Sequence, residues 1–433
     1  MTGRESHFQA VADAYQAVRR LPTLVVGVLA EGTLVWRGQA GAAADPATQY
    51  RIGSITKTMT GVLVMQCRDD GLLTLEDPLG DVVPESAYRA ASLRQLLSHT
   101  SGMQSEPVGS WWERSPGVDF EQLSAANDVD RSVFAPGTTY HYSNLGFALL
   151  GEVVARLRGR PWQQVLAERL LGPLGMARTT YLPAPPYAEG WSVHHLRGTL
   201  TAEPARDTGA MAPAGQLWST IDDLAILAGF LRSGNPAVLS SPSLAEMRRP
   251  VRDGYGLATM VAAHPGGQLV GHLGSMPGFQ GSMLVDPRSG DGVVALTNAT
   301  TGLDGVDLTH RLLGSVTPRP GPAWVPTAVV PEWAEELLGY WHWGNSAFEV
   351  RWHNGLLEFI DLARGRLAEQ FTRRDGRLVG VAGYHAGEPL HVVRRPGPGD
   401  GADSVSHLEC ATFIYTRTPY DPAAPIPGGH PHP

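Results

Sequence analysis

The stretch "YRIGSITKTM" (residues 50–59) holds the single lysine of a 433-residue chain. The 34 basic side chains are that lysine and 33 arginines, so arginine serves wherever only positive charge is needed. Lys57 escaped this bias. A guanidinium stays protonated at any workable pH, whereas an amine can lose its proton when burial or nearby charge lowers its pKa. From Ser54 onward the apolar spacing turns helical, through Met59, Val62, Leu63, Met65 and Gln66, with a stop at Gly71. Ser54 is therefore predicted at a helix start, and Ser54 and Lys57, spaced i and i+3, project from one face. A serine hydroxyl is a weak nucleophile until a base takes its proton, and a neutral amine one turn away is such a base.

Upstream, the spacing of Phe8, Val11, Ala14, Tyr15 and Val18 predicts a helix, and "TLVVGVLAEGTLVWRGQAG" predicts a hairpin turning at Glu31-Gly32. Residues from about 60 to 232 read as mainly helical. Ser219 or Thr220, followed by Asp222 and Asp223, reads as a helix cap. From Gly254 the pattern becomes strand-like again, in "QLVGHLG", "GSMLVDP" and "GDGVVALTNA", an antiparallel meander. A sheet built from both ends of one segment, with helices inserted between, predicts an α/β unit plus an all-α unit over residues 1–315. The run "VTPRPGPAWVPTAVVP" (316–331) has the proline density of a linker. Beyond it, hairpin signals at Asn354-Gly355 and Asp375-Gly376 predict a small antiparallel, barrel-like β domain over 332–420, followed by a disordered tail, 421–433.

Composition narrows the function classes. A net charge of -8 and a pI near 6.0 supply no cationic field for nucleic acid or an anionic membrane surface. No apolar run approaches the roughly 18 to 20 residues of a spanning helix, and the first residues lack the apolar centre of a secretion signal, so a cytoplasmic location is expected. Cys67 and Cys410, far apart, read as buried thiols; neither they nor the two histidines of the tail suggest a metal site.

Two further segments carry chemistry. In "FAPGTTYHYSNLGFALLG", Tyr142 offers a phenol that can relay a proton, and Asn144 an amide that can hold both the lysine and a substrate carbonyl. In "GHLGSMPGFQG", His272 and Gly274 lie on a predicted strand edge, where Ser275 can present its N–H to a developing oxyanion.

Taken in order, S-x-x-K, Y-x-N and H-x-G resemble the serine β-lactamase and penicillin-binding protein family, particularly its class C-like branch of DD-peptidases, esterases and D-aminopeptidases. The segments "LTLEDPLGDVVPE", "LRQLLSHTSGM", "AGQLWSTIDDLA" and "PGFQGSMLVDP" extend the resemblance over roughly residues 10 to 315. It implies an antiparallel sheet flanked by helices with a helical insertion. It also implies Ser54 as nucleophile, Lys57 and Tyr142 as shared acid and base, Asn144 as orienting group, and the N–H groups of Ser54 and Ser275 as oxyanion hole. His272 stands where many relatives carry the lysine of K-T-G. That departure weakens the case for β-lactam turnover and favours ester or amide chemistry. Trp111 and Trp112 are candidates to line the entrance.

The expected reaction is acyl transfer to Ser54 from a small-molecule or peptide substrate, then release to water, with no metal or organic cofactor. Two alternatives stand beside the hydrolase. One is an acyltransferase or penicillin-binding-type thioesterase passing the acyl group to an amine or alcohol, suggested by the likeness of the C-terminal β domain to a lipocalin-like appendage. The other is a non-catalytic penicillin-binding sensor.

Overall fold

The computed structural model describes residues 3–319, 321–396 and 403–419; the tail predicted as disordered lies outside them. The helix α1 (Gly3–Arg19) forms where the apolar spacing placed it, burying Phe8, Val11, Ala12 and Tyr15. Strands β1 (Thr23–Ala30) and β2 (Thr33–Gly41) follow. Their turn takes left-handed φ at both Glu31 (52°) and Gly32 (77°), the conformation that suits the right-handed twist of a two-residue hairpin.

The chain returns to this sheet with β3 (Met260–His264), β4 (Gly267–Met276), β5 (Phe279–Val285) and β6 (Gly292–Thr297). The six strands run in the order β2-β1-β6-β5-β4-β3, every neighbouring pair antiparallel. The closing pair, β1 with β6, sets Leu24 opposite Thr297 and Leu29 opposite Gly292. Alternation along β1 explains why the strand is buried on both faces. Val25 and Leu29 join a core shared with α2 (Ile55–Asp69) and, downstream, Ile221–Ser233. Leu24, Val26 and Val28, one residue out of phase, are buried as well, and α1 packs on this sheet together with the helix Gly305–Leu313.

Between the two halves of the sheet lies the helical insertion. Helix α2 is buried from Ile55 to Cys67 without interruption, because the insertion covers the sides that the sheet does not. The helix Asn144–Arg158, α3, packs along it. The predicted cap at Thr220 is present, its hydroxyl accepting from Asp223 N at the start of α4 (Ile221–Ser233). Asp223 itself accepts from Arg178 N and the Thr179 hydroxyl, a structural role.

Contacts divide the chain into two units, Met1–Ser192 with Ala202–Trp324, and Val193–Thr201 with Val325–Pro433. The second unit is a closed eight-stranded antiparallel barrel running from Gly339–Trp343 to Phe413–Thr416, the first strand pairing with the last. Both predicted hairpin turns have two left-handed residues, Asn354 with Gly355 and Asp375 with Gly376. Trp341, Val350, Leu357, Phe359, Phe371 and Leu408 fill its core. Residues 193–201, which the sequence reading left inside the first unit, belong with this one: Trp352 N donates to Leu196 O (2.8 Å), and Arg197 pairs with Glu335.

Candidate active site

Three chain segments meet around the start of α2. Ser54 is its N-terminal cap residue, reached through Gly53 at φ 52°. The second segment is the outer half of β4. Strand β3 reaches along β4 only as far as Gly271, leaving the backbone of residues 272–276 open on that side. The Ile52–Ser54 turn approaches there so closely that a Cβ on Gly53 would sit 2.5 Å from Ser275 N, and one on Gly274 would sit 1.9 Å from Ile52 O. Only glycine fits at either place, and the backbones of Ser54 and Ser275 are thereby held side by side. The third segment leads into α3, with Tyr142 just before the Ser143 cap and Asn144 as the first helical residue.

Lys57 is fully buried. Its Nζ lies 2.9 Å from Ser54 Oγ, 2.6 Å from Asn144 Oδ1 and 2.7 Å from the carbonyl oxygen of Ala214. It also stands over the rings of Tyr142 (4.9 Å) and Phe147 (5.6 Å). Burial pushes its pKa down to about 7, while the carboxylates of Glu106 and Glu113 pull the other way. The three partners differ in what they can do. Asn144 Oδ1 and the Ala214 carbonyl only accept, so a neutral amine spends both its protons on them. Its lone pair is then left for the one partner that can donate, Ser54.

The orientation of Asn144 is itself imposed. Its Nδ2 donates to Glu106 Oε1 at 2.6 Å, which turns Oδ1 toward Lys57. Glu106 Oε2 accepts from Trp112 Nε1 at 2.7 Å. Burial raises the Glu106 pKa, against the hydrogen bonds from Trp112 and Asn144. Burial drives the Tyr142 phenol pKa upward, opposed by its interaction with the Ser54 side chain, so the phenol is held protonated.

His272 lies on β4, just beyond the point where β3 stops pairing. It is buried, with Nδ1 2.5 Å from the Leu273 carbonyl, which only accepts, so Nδ1 carries the proton and Nε2 accepts from the Tyr255 hydroxyl at 3.0 Å. Burial, assisted by the charge of Lys57, pushes its pKa down to about 3. It is a neutral member of the aromatic cluster beside Tyr142 and Tyr255. The two tryptophans part company. Trp112 reaches the site through Glu106, whereas Trp111 is exposed and carries Arg114 over its ring at 4.0 Å.

Two contributors were not singled out from sequence. Glu106 sits in an unremarkable loop. His99, inside the quoted "LRQLLSHTSGM", is buried at φ 56°, accepts from Ser143 N at 3.0 Å and packs 4.2 Å from the Tyr142 ring. It holds the Tyr142–Ser143 backbone in place, and burial keeps it neutral by pushing its pKa far down.

The family model described as Beta-lactamase matches residues 8–316, and a domain of unknown function, DUF7586, matches residues 330–417. Penicillin-binding protein 4 of Amycolatopsis lactamdurans is 28% identical over 350 residues, which are 72% of this chain and 90% of that protein. The D-alanyl-D-alanine-carboxypeptidase/endopeptidase AmpH of Escherichia coli (strain K12) is 34% identical over 182 residues, 40% of this chain and 46% of AmpH, so that match spans under half of its length. A D-stereospecific amidohydrolase from Streptomyces sp. is 25% identical with a TM-score of 0.61, covering 71% of this chain and 98% of that one. Among the described residues, no helix is long and apolar enough to cross a membrane.

Proposed function

The chain belongs to the Beta-lactamase family, and from that premise we propose that it is a serine hydrolase cleaving an ester or amide through an acyl-enzyme on Ser54. The observation that carries this reading is the placement of Lys57 Nζ, 2.9 Å from Ser54 Oγ with its other two partners restricted to accepting. In the neutral form Lys57 takes the Ser54 proton as Oγ attacks the carbonyl carbon. The N–H groups of Ser54 and Ser275 receive the oxyanion. Tyr142, kept protonated by burial, delivers a proton to the departing oxygen or nitrogen, Lys57 and Tyr142 acting as one coupled pair. Water then attacks the acyl group, and the same pair works in reverse.

The electrostatics bear on the substrate class. His272 is neutral, and the carboxylates of Glu106 and Glu113 act on Lys57. This field suits an acyl donor with no carboxylate beside the scissile bond better than one that requires a cationic anchor. The relatives named as a D-alanyl-D-alanine-carboxypeptidase/endopeptidase and a D-stereospecific amidohydrolase keep amides in view. The test is trapping and turnover. A fluorophosphonate should add once, on Ser54, by intact mass, and neutral esters or amides should be hydrolysed faster than carboxylate-terminated peptides. If transfer to an added amine or alcohol outruns hydrolysis at modest acceptor concentration, the hydrolase reading fails in favour of an acyltransferase. A permanent adduct with no turnover of any ester or amide would instead favour the sensor.

The pH profile follows from the same pair. The reactive amine is neutral, so kcat/KM should be lost as pH falls through about 7 and level off above it. The Glu106 carboxylate raises the Lys57 pKa, and Glu106→Gln should therefore move that acidic limb to lower pH. A limb that stays in place would remove Glu106 from the electrostatics of the site.

A further inference from the structure

The barrel holds a second cluster of chemically competent side chains, remote in sequence from Ser54. A ring nitrogen of His385, a carboxylate oxygen of Glu388 and the Sγ of Cys410 all lie within 4.8 Å of one another. His385 sits in the turn between the strands Arg377–Ala382 and Pro389–Arg395, and Cys410 ends the strand Ser404–Cys410. Both are fully buried, whereas Glu388 is exposed.

The histidine is clamped from one side. Glu369, which shares the inward face of its strand with Phe371, accepts from the His385 backbone N–H (3.1 Å) through one oxygen and contacts Nδ1 (3.2 Å) through the other. The carboxylate therefore selects the tautomer with the proton on Nδ1. Nε2 is left with its lone pair, buried and without a hydrogen-bond partner among the described residues. Leaving such a buried acceptor unpaired is unfavourable, and a bound cation would satisfy it. Close backbone approaches hold the arrangement: a Cβ on Gly380 would sit 2.1 Å from His385 O, and one on Gly383 would sit 2.4 Å from Glu369 Oε2. The turn is closed by Glu388 N donating to His385 O (3.0 Å).

We propose that His385, Glu388 and Cys410 form a binding site for a divalent zinc-like cation, with Glu369 as the carboxylate that orients the histidine. The donor set of one imidazole, one sulfur and one carboxylate suits Zn²⁺ rather than the oxygen-seeking Mg²⁺ or Ca²⁺. A carboxylate on the far nitrogen of a histidine is the usual support for such a ligand. Tetrahedral zinc ligands stand roughly 3.3–3.7 Å apart, so donors within 4.8 Å need only a small contraction. On binding, the Cys410 thiol proton leaves to solvent and the thiolate bonds the metal, while the exposed Glu388 marks the entry side. The ion would tie the His385–Glu388 turn to the end of the strand carrying Cys410.

Co²⁺ is the informative probe, because a thiolate ligand adds an ultraviolet charge-transfer band that histidine or carboxylate ligands alone do not. Full-length protein, stripped by chelator and titrated with CoCl₂, should develop this band up to one equivalent, and ZnCl₂ should abolish it. Zn²⁺ in excess should raise the melting temperature by roughly several degrees. Cys410→Ser should lose the band. Glu388→Gln, at an exposed position that leaves folding intact, should keep the band but weaken Zn²⁺ affinity at least about tenfold. A wild-type protein without the band overturns the proposal, as does a band that survives in Cys410→Ser or an unchanged affinity in Glu388→Gln.

Discussion

Lys57→Arg is expected to fold normally and to lose nearly all turnover, although it keeps the charge that the position carries at low pH. The argument rests on what the amine must do. Lys57 Nζ is enclosed by Asn144 Oδ1, the Ala214 carbonyl and Ser54 Oγ, and it can act on Ser54 only with a lone pair free. Burial brings its pKa down to about 7, so a large share of the molecules carry a neutral amine near neutral pH. A guanidinium keeps its proton there and offers no lone pair. Loss of a positioned general base costs on the order of 10²- to 10⁴-fold, and kcat/KM for a chromogenic ester should fall within that range at every pH from 6 to about 9. Initial rates together with a melting curve decide the matter. A variant that melts like the parent yet retains more than about a tenth of its activity would show that Lys57 contributes charge and not basicity.

Ser54→Ala should cost still more, on the order of 10⁴-fold or beyond, since removal of the nucleophile eliminates the covalent path altogether. Its effect on stability should be small, which separates the two roles this residue has. An N-cap serine replaced by alanine usually costs about 0.5–2 kcal/mol through the lost side-chain bond to the helix. The Ser54 side chain makes no such bond; its hydroxyl is committed to Lys57. The variant should therefore melt close to the parent, hydrolyse no ester above background and take no fluorophosphonate by intact mass. Residual labelling at full stoichiometry would place the nucleophile elsewhere.

Much of this organisation was legible before any coordinates, for reasons that can be named. Where spacing within one helical turn decides the geometry, as for Ser54 and Lys57, the reading needs no tertiary information. The same holds for the turns at Glu31-Gly32, Asn354-Gly355 and Asp375-Gly376, because left-handed φ at two successive residues is a local demand that Asn, Asp and Gly meet at little cost. The Thr220 cap belongs to this class too. His272 shows where such reading stops. Its place in the order of motifs marked it as facing substrate, but burial and the bonds to Leu273 and Tyr255 made it a neutral part of the wall. Glu106 and His99 gave no local signal, since each acts on a residue many positions away, Asn144 in one case and Ser143 in the other.

The amino-acid order alone thus determined which elements form, that a hydroxyl and an amine share one helix face, and that a barrel-like domain follows a proline-rich connection, because backbone conformation and side-chain periodicity are set over a few residues. Only the tertiary structure decided that the amine sits near neutrality, that Asn144 turns its oxygen toward Lys57, and that Cys410 meets His385 and Glu388. Each of these depends on desolvation and on partners brought together by the closing of a sheet, a barrel or a helical insertion, and a pKa or a hydrogen-bond orientation takes its value only when those distant groups are in contact.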